Sequence, residues 1–301
     1  MFRSWKIGTA FGIPLYIHPT IVLLPALVFA TQWDGGWFNA LVMTVLTAAL
    51  FGCVLLHELG HAATALLFGI RTHDITLYPI GGVASLERMT EKPLQEMAVA
   101  VAGPAVNLVI ALLLLPLVVL GAAAGLLGGD VTAFRLADGL GETASKFTLL
   151  LTAMNIGLIL FNLIPAFPMD GGRVFRAFLA LLMNRVRATE IASGVGAVLA
   201  GLFIVAGLAS LFGLASFFTD YANPLLALVG AFVLFAGRME LLGVRRQAEQ
   251  ARLADAWDDS PEAPIVEAAP GFSGYRWDRR DHVWVLWRNG RPIEVYDGGA
   301  E

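Results

Sequence analysis

Apolar residues dominate positions 40–68, and the stretch from Leu41 to Leu56 holds no charged residue. About 20 consecutive apolar residues cross a bilayer as a helix, so this stretch predicts a membrane span. Further apolar runs predict spans at residues 19–31, 94–119, 191–211 and 224–238. Another opens near Phe147 and is interrupted by Pro165 and Pro168. Trp33 and Trp37 follow the first run, where an interfacial aromatic belt belongs. Residues 76–80 and 83–86 flank Gly81-Gly82 and read as a short hairpin or loop at the membrane. Residues 274–278, 282–287 and 292–296 read as a three-stranded antiparallel meander. Asn289-Gly290 is a tight-turn signal between the last two strands, and Arg279-Arg280-Asp281 connects the first two.

The expected architecture is an all-α polytopic membrane protein with about six transmembrane helices, a membrane-associated β hairpin or loop, and a small C-terminal β meander. Three parts are expected: a membrane domain at 1–245, an acidic Ala/Pro linker at 246–270, and a small cytoplasmic β module at 271–301. The module is too short to bury a core of its own, so its apolar face is expected to pack on another surface.

Composition agrees with this pattern. Of 301 residues, 57% are hydrophobic and only 15% are charged, as in polytopic membrane proteins. The net charge of −4 carries little, because the acids gather in the tail. Its distribution carries more. The predicted outer loops hold only Arg135 and Lys146, while Arg71, Arg173, Arg176, Arg185, Arg187, Arg238 and Arg245 fall in inner segments. That skew predicts both termini in the cytoplasm, in the cell (inner) membrane. Arg3 and Lys6 precede the first apolar run, but residues 8–18 intervene, so the run reads as a retained span rather than a signal peptide. Cys53 is the single cysteine and excludes an intrachain disulfide. No basic face suits nucleic acid.

The chemistry lies near the far end of the second span, in His57-Glu58-Leu59-Gly60-His61. An ionised acid at the centre of a span costs about 2.5–3.5 kcal/mol, so these polar residues need a function. His57 and His61 are four residues apart and stack on one helix face. Both can bind one zinc ion, with Glu58 beside them as general base. A catalytic zinc takes a third protein ligand and keeps a position for water. Asp170, in Pro165-Ala166-Phe167-Pro168-Met169-Asp170-Gly171-Gly172, is the best donor, although Pro-Met-Asp-Gly-Gly is also good turn chemistry.

Together these residues resemble the site-2 protease family of intramembrane zinc metalloproteases. The matching features are the His57–His61 motif, Asn162…Pro165…Pro168…Asp170-Gly171-Gly172, the Gly81-Gly82 loop, and Gly103-Pro104-Ala105-Val106-Asn107. The opening Trp5-Lys6-Ile7-Gly8…Gly12-Ile13-Pro14…His18 is similar to compact bacterial and archaeal members, without PDZ or CBS domains. The resemblance covers residues 1–245. It implies that Asp170 is the third ligand and that one Zn²⁺ is bound per chain. It implies that Asn107 faces the site, where an amide can hold the scissile carbonyl or its oxyanion; the alternative is a hydrogen bond between helices. Asn162 has the same two readings, site residue or helix-end cap. Cys53 shares the histidine face and reads either as a further ligand or as a small apolar filler. The Gly81-Gly82 segment reads either as an edge strand for an unwound substrate or as an ordinary hairpin.

The resulting expectation is a zinc endopeptidase that hydrolyses peptide bonds in or near transmembrane segments, in regulated intramembrane proteolysis. Its partners are the lipid bilayer and a single-span membrane protein substrate; homo-oligomerisation is left open. The alternatives are a membrane metal carrier or a catalytically silent scaffold using the same ligands. Glu58 between the ligands argues against a carrier, which needs no base.

Overall fold

The computed structural model describes residues 4–79, 81–87, 92–211, 225–258, 271–278 and 283–297. It is mostly helical. The long helices are α2 (Trp37–Leu67), α3 (Pro93–Ala123), α4 (Gly139–Asn162), α6 (Arg185–Leu211) and α7 (Leu225–Asp258). All five are long and apolar enough to cross a membrane. Pro19–Thr31, expected as a first span, is a shorter apolar helix. It opens with a 3-10 turn and continues as α1 (Leu23–Thr31). His18 caps it, with its Nδ1 3.4 Å from the Thr20 amide.

The buried stripes of the long helices are small or polar. On α3 they are Val99, Gly103, Asn107 and Ala111, at steps of four; on α2 they include Cys53, His57, His61 and Ala65. The opposite faces are apolar and exposed, as at Leu108, Leu112 and Leu120 of α3. Large apolar residues outside and small or polar ones inside is the arrangement of helices packed in lipid.

Two boundaries differ from the sequence expectation. α4 begins at Gly139, well before Phe147, because Lys146 is neutralised within the helix: it pairs with Glu142 at 2.6 Å and Asp138 at 3.1 Å. α7 runs on to Asp258, through residues expected to be linker. Ala, Glu, Gln, Arg and Leu dominate there and are strong helix formers.

The N-terminus supplies strands that the sequence reading did not assign. β1 (Trp5–Ala10) and β2 (Ile13–Ile17) pair antiparallel around Phe11-Gly12, both at positive φ, as in a primed hairpin turn. β2 pairs parallel with β3 (Thr72–Tyr78), which pairs antiparallel with β4 (Gly81–Leu86), giving sheet order β1-β2-β3-β4. Ile13, Leu15 and Ile75 of this sheet pack on Ala62, Leu55 and Leu59 of α2. The sheet is thus fastened to the part of α2 that carries the two histidines.

After α4 an irregular connection leads to the short helix α5 (Asp170–Ala180). A Cβ added to Gly172 would stand 2.6 Å from the Ala166 carbonyl carbon, and one on Gly171 would overlap the Leu163 and Ile164 backbone. Only glycines let α5 start against the connection this closely. Ala166 and Met169 of the connection pack on Ala200 of α6 and Val233 of α7.

The chain divides into two compact units, Met1–Arg245 and Arg246–Glu301. The second contains the meander β5 (Gly274–Asp278), β6 (Val283–Arg288) and β7 (Arg291–Asp297), paired antiparallel in sequence order. Asn289-Gly290 turns at φ 53° and 74°, again a primed turn. Trp277 faces Trp284 across β5 and β6, with ring centroids 5.4 Å apart. Arg279-Arg280-Asp281, His282 and linker residues 259–270 lie outside the described residues.

Candidate metal centre

His57 and His61 lie one turn apart on α2 and turn their rings to the same place, with their Nε2 atoms 3.1 Å apart. Asp170, the first residue of α5, reaches in with Oδ2 3.1 Å from His57 Nε2 and 3.2 Å from His61 Nε2. All three are buried and form the one His/Cys/Asp/Glu group among the described residues suited to a metal ion. His61 Nδ1 lies 2.7 Å from the Val99 carbonyl and donates to it, which leaves Nε2 as the bare donor. The bare Nε2 of His61 and the Asp170 carboxylate, 3.2 Å apart, repel unless a positive charge lies between them, and a metal ion supplies one. Their separations also suit zinc: ligands about 2.0–2.1 Å from a tetrahedral centre stand about 3.3 Å apart. The donor set therefore fits the expected ion.

Backbone walls the centre. A Cβ on Gly103 of α3 would overlap His61 Nε2 and stand 2.6 Å from His57 Nε2. A Cβ on Gly60 would stand 2.7 Å from Val106 Cγ2 and 2.9 Å from the Ala102 carbonyl oxygen, so α2 and α3 meet closely here. Glu58 is outside the ligand trio. Its side chain lies against β4, where a Cβ on Gly82 would overlap Glu58 Cγ and stand 3.3 Å from Oε1.

Asn107 is completely buried on the stripe of α3 that carries Gly103, and neither polar atom of its side chain has a partner among the described residues. His57 Nδ1 is likewise without one. Asn162 ends α4, half-buried, and is not part of the ligand trio. Cys53 is buried but is also outside the trio; its Sγ accepts from Asn155 Nδ2 at 3.4 Å. The filler reading of Cys53 agrees with this. His18 stacks on Tyr78 at 5.1 Å, and His73 is exposed.

Sequence reasoning missed Asn155, completely buried on α4, and a buried charge cluster around Arg176. The signal for Asn155 was a lone amide in the run Asn155–Phe161, which is otherwise free of polar side chains.

Residues 45–206 match peptidase family M50, a region that contains His57, Glu58, His61 and Asp170. The chain belongs to this family, the site-2 proteases. The chain is 33% identical over 242 residues to zinc metalloprotease MJ0392 of Methanocaldococcus jannaschii, covering 80% of this chain and 61% of that one. It is 34% identical over 292 residues to protein sll0528 of Synechocystis sp., covering 89% of this chain and 68% of that one. The chain thus spans about two thirds of the length of these relatives. The solved structure of the site-2 protease from Methanocaldococcus jannaschii superposes with a TM-score of 0.51 at 31% identity, covering 79% of this chain and 95% of that one.

Proposed function

We propose that this M50 member is an intramembrane zinc endopeptidase that hydrolyses peptide bonds in or near transmembrane segments of other proteins. One observation carries the reading. Donors on two helices, from residues as far as 113 positions apart in sequence, converge within 3.1–3.2 Å, where a membrane span is otherwise costly for ionisable groups. His57, His61 and Asp170 would hold one zinc per chain. When bound, zinc supplies a Lewis acid that makes water nucleophilic at neutral pH and polarises the scissile carbonyl.

The chain's own residues do the rest. Glu58, next to the ligands, takes the proton of the attacking water and passes it to the leaving amine. Val99 holds His61 in the tautomer that presents Nε2. The Asn107 amide, buried and without a partner, is suited to donate to the developing oxyanion. Asn162, at the end of α4, is proposed for the same role on the strength of the family resemblance. The skew of arginine and lysine supports cytoplasmic termini in the cell membrane, and the substrate class is a single-span membrane protein.

The test is cleavage of a transmembrane substrate by purified protein in detergent. Glu58→Gln is expected to keep its zinc and lose roughly 10²-fold or more in turnover. Wild-type turnover in zinc-loaded Glu58→Gln would refute the mechanism.

A further inference from the structure

We infer that Arg176 is a positioning residue for the metal site: it locks the start of α3 to α5, and so fixes where His61 and Asp170 present their donor atoms. The inference rests on the metalloprotease reading and deepens it.

Arg176 is 0% exposed, the largest fully buried side chain among the described residues. A buried guanidinium must be paired. Its Nε donates to Glu96 Oε1 at 2.8 Å and its Nη2 donates to the same oxygen. Its Nη1 donates to Glu240 of α7. Arg185 Nη2 lies 3.7 Å from the other Glu96 oxygen, so two cations face two anions. The guanidinium also lies over the Phe167 ring, 5.0 Å from its centroid.

Two of its partners, Glu96 and Phe167, adjoin parts of the metal centre. Glu96 is on α3, three residues before Val99, whose carbonyl holds His61 Nδ1 at 2.7 Å. The same helix brings Gly103 against both histidine rings. Phe167 is in the connection, three residues before Asp170, and Arg176 itself follows Asp170 on α5. One side chain therefore joins the element that orients His61 to the element that carries Asp170.

Stability alone does not account for such a cluster. Well-packed apolar residues of equal volume hold helices together as well as a buried ion pair does, or better. A planar fork adds a fixed angle and register between the groups it joins. α5 has 11 residues, too few to hold a helix by itself, so its direction is set by what it touches. A metal centre needs that direction, because ligand distances tolerate only about 0.2 Å.

The experiment uses the full chain in detergent. Arg176→Met leaves two carboxylates facing one cation, so the double variant Arg176→Met/Glu96→Gln, which restores the balance, is compared with Arg176→Lys. An exposed-pair control, Arg245→Gln, breaks the contact with Glu190 instead. Zinc Kd is measured by competition with a chelating dye, geometry by the visible absorption of the Co²⁺-loaded protein, and folding by melting of the metal-free protein. The expected result is a zinc Kd raised about 10–100-fold in the double variant, with an altered Co²⁺ spectrum. Arg176→Lys, which keeps the charge without the fork, should fall between it and wild type. If the double variant does not fold, Arg176→Lys alone decides. Wild-type Kd and spectrum in the folded variants would overturn the inference, whatever their melting temperature. Wild-type protein that takes up no zinc would refute the metalloprotease reading, and the inference would fall with it.

Discussion

Replacing Gly103 with alanine puts one methyl group at the metal centre. The new Cβ would overlap His61 Nε2 and stand 2.6 Å from both His57 Nε2 and His61 Cε1. An ordinary contact between such atoms needs about 3.5 Å, so roughly 1 Å must be found. His61 cannot swing aside without losing the Val99 carbonyl, 2.7 Å from its Nδ1. If α3 retreats instead, it loses its contact with α2 at Gly60. Overpacking of this kind costs about 1–3 kcal/mol, and the helix preference of alanine over glycine returns about 0.5–1 kcal/mol. Metal-free stability should therefore fall modestly. Zinc affinity should fall much further, by at least about 10–100-fold, because a donor shift near 1 Å exceeds the tolerance of a zinc site several times over. The assay pairs a competition titration for zinc with thermal melting of the metal-free protein. Gly52→Ala is the control: it lies on α2 itself, exposed, and its added Cβ meets nothing within 4 Å. Gly103→Ala that binds zinc as tightly as Gly52→Ala would show that α3 does not wall the centre.

Two further measurements separate the remaining assignments. Asp170→Ala should purify without zinc, whereas Cys53→Ala should keep a full complement, since Cys53 is engaged with Asn155 and lies outside the ligand trio; metal analysis of both proteins reads this directly, and the reverse pattern would exchange their roles. In a Cys53→Ala background, Asp34→Cys should be labelled from outside the cell and Gln247→Cys from the cytoplasm, as the arginine and lysine skew requires; labelling from one side at both positions would refute the proposed topology.

The histidine pair was legible because its signal is local: two residues at helical spacing, one turn apart, directly after the charge-free stretch of an apolar run. Asp170 was not legible in that way. It stands 113 residues from His57, in a segment that also makes good turn chemistry, and only the family resemblance separated the two readings. The meander was read almost residue by residue, because alternation and an Asn-Gly turn are both local. The N-terminal hairpin was missed although Ile13, Leu15 and Ile17 alternate, because Phe11-Gly12 is not one of the usual tight-turn pairs and Pro14 falls inside the second strand. Helix ends were misplaced where charge was neutralised inside the helix, as at Lys146, or where residues of high helix propensity carried α7 past the apolar run. The Arg176 cluster left no pattern at all. Its ion pairs join residues 80 and 64 positions apart, and each member alone reads as an ordinary charge at the end of a helix.

The proposed activity follows from how polar groups are satisfied in the site. In lipid every backbone polar group must find a partner. A helical segment meets that need internally, through its i→i−4 bonds, and offers the enzyme no free carbonyl. β4 is at the edge of its sheet, and its Gly82 lies against the side chain of the proposed base. Asn107 is buried with both polar atoms unpartnered among the described residues. A segment that unwinds exposes the donors and acceptors that a strand edge and an amide can take up. On the proposed reading, then, selection and chemistry act on one state. Segments whose helix opens at low cost, through glycine, proline or polar residues, can meet both groups beside the ligand trio. A segment that stays helical can meet neither.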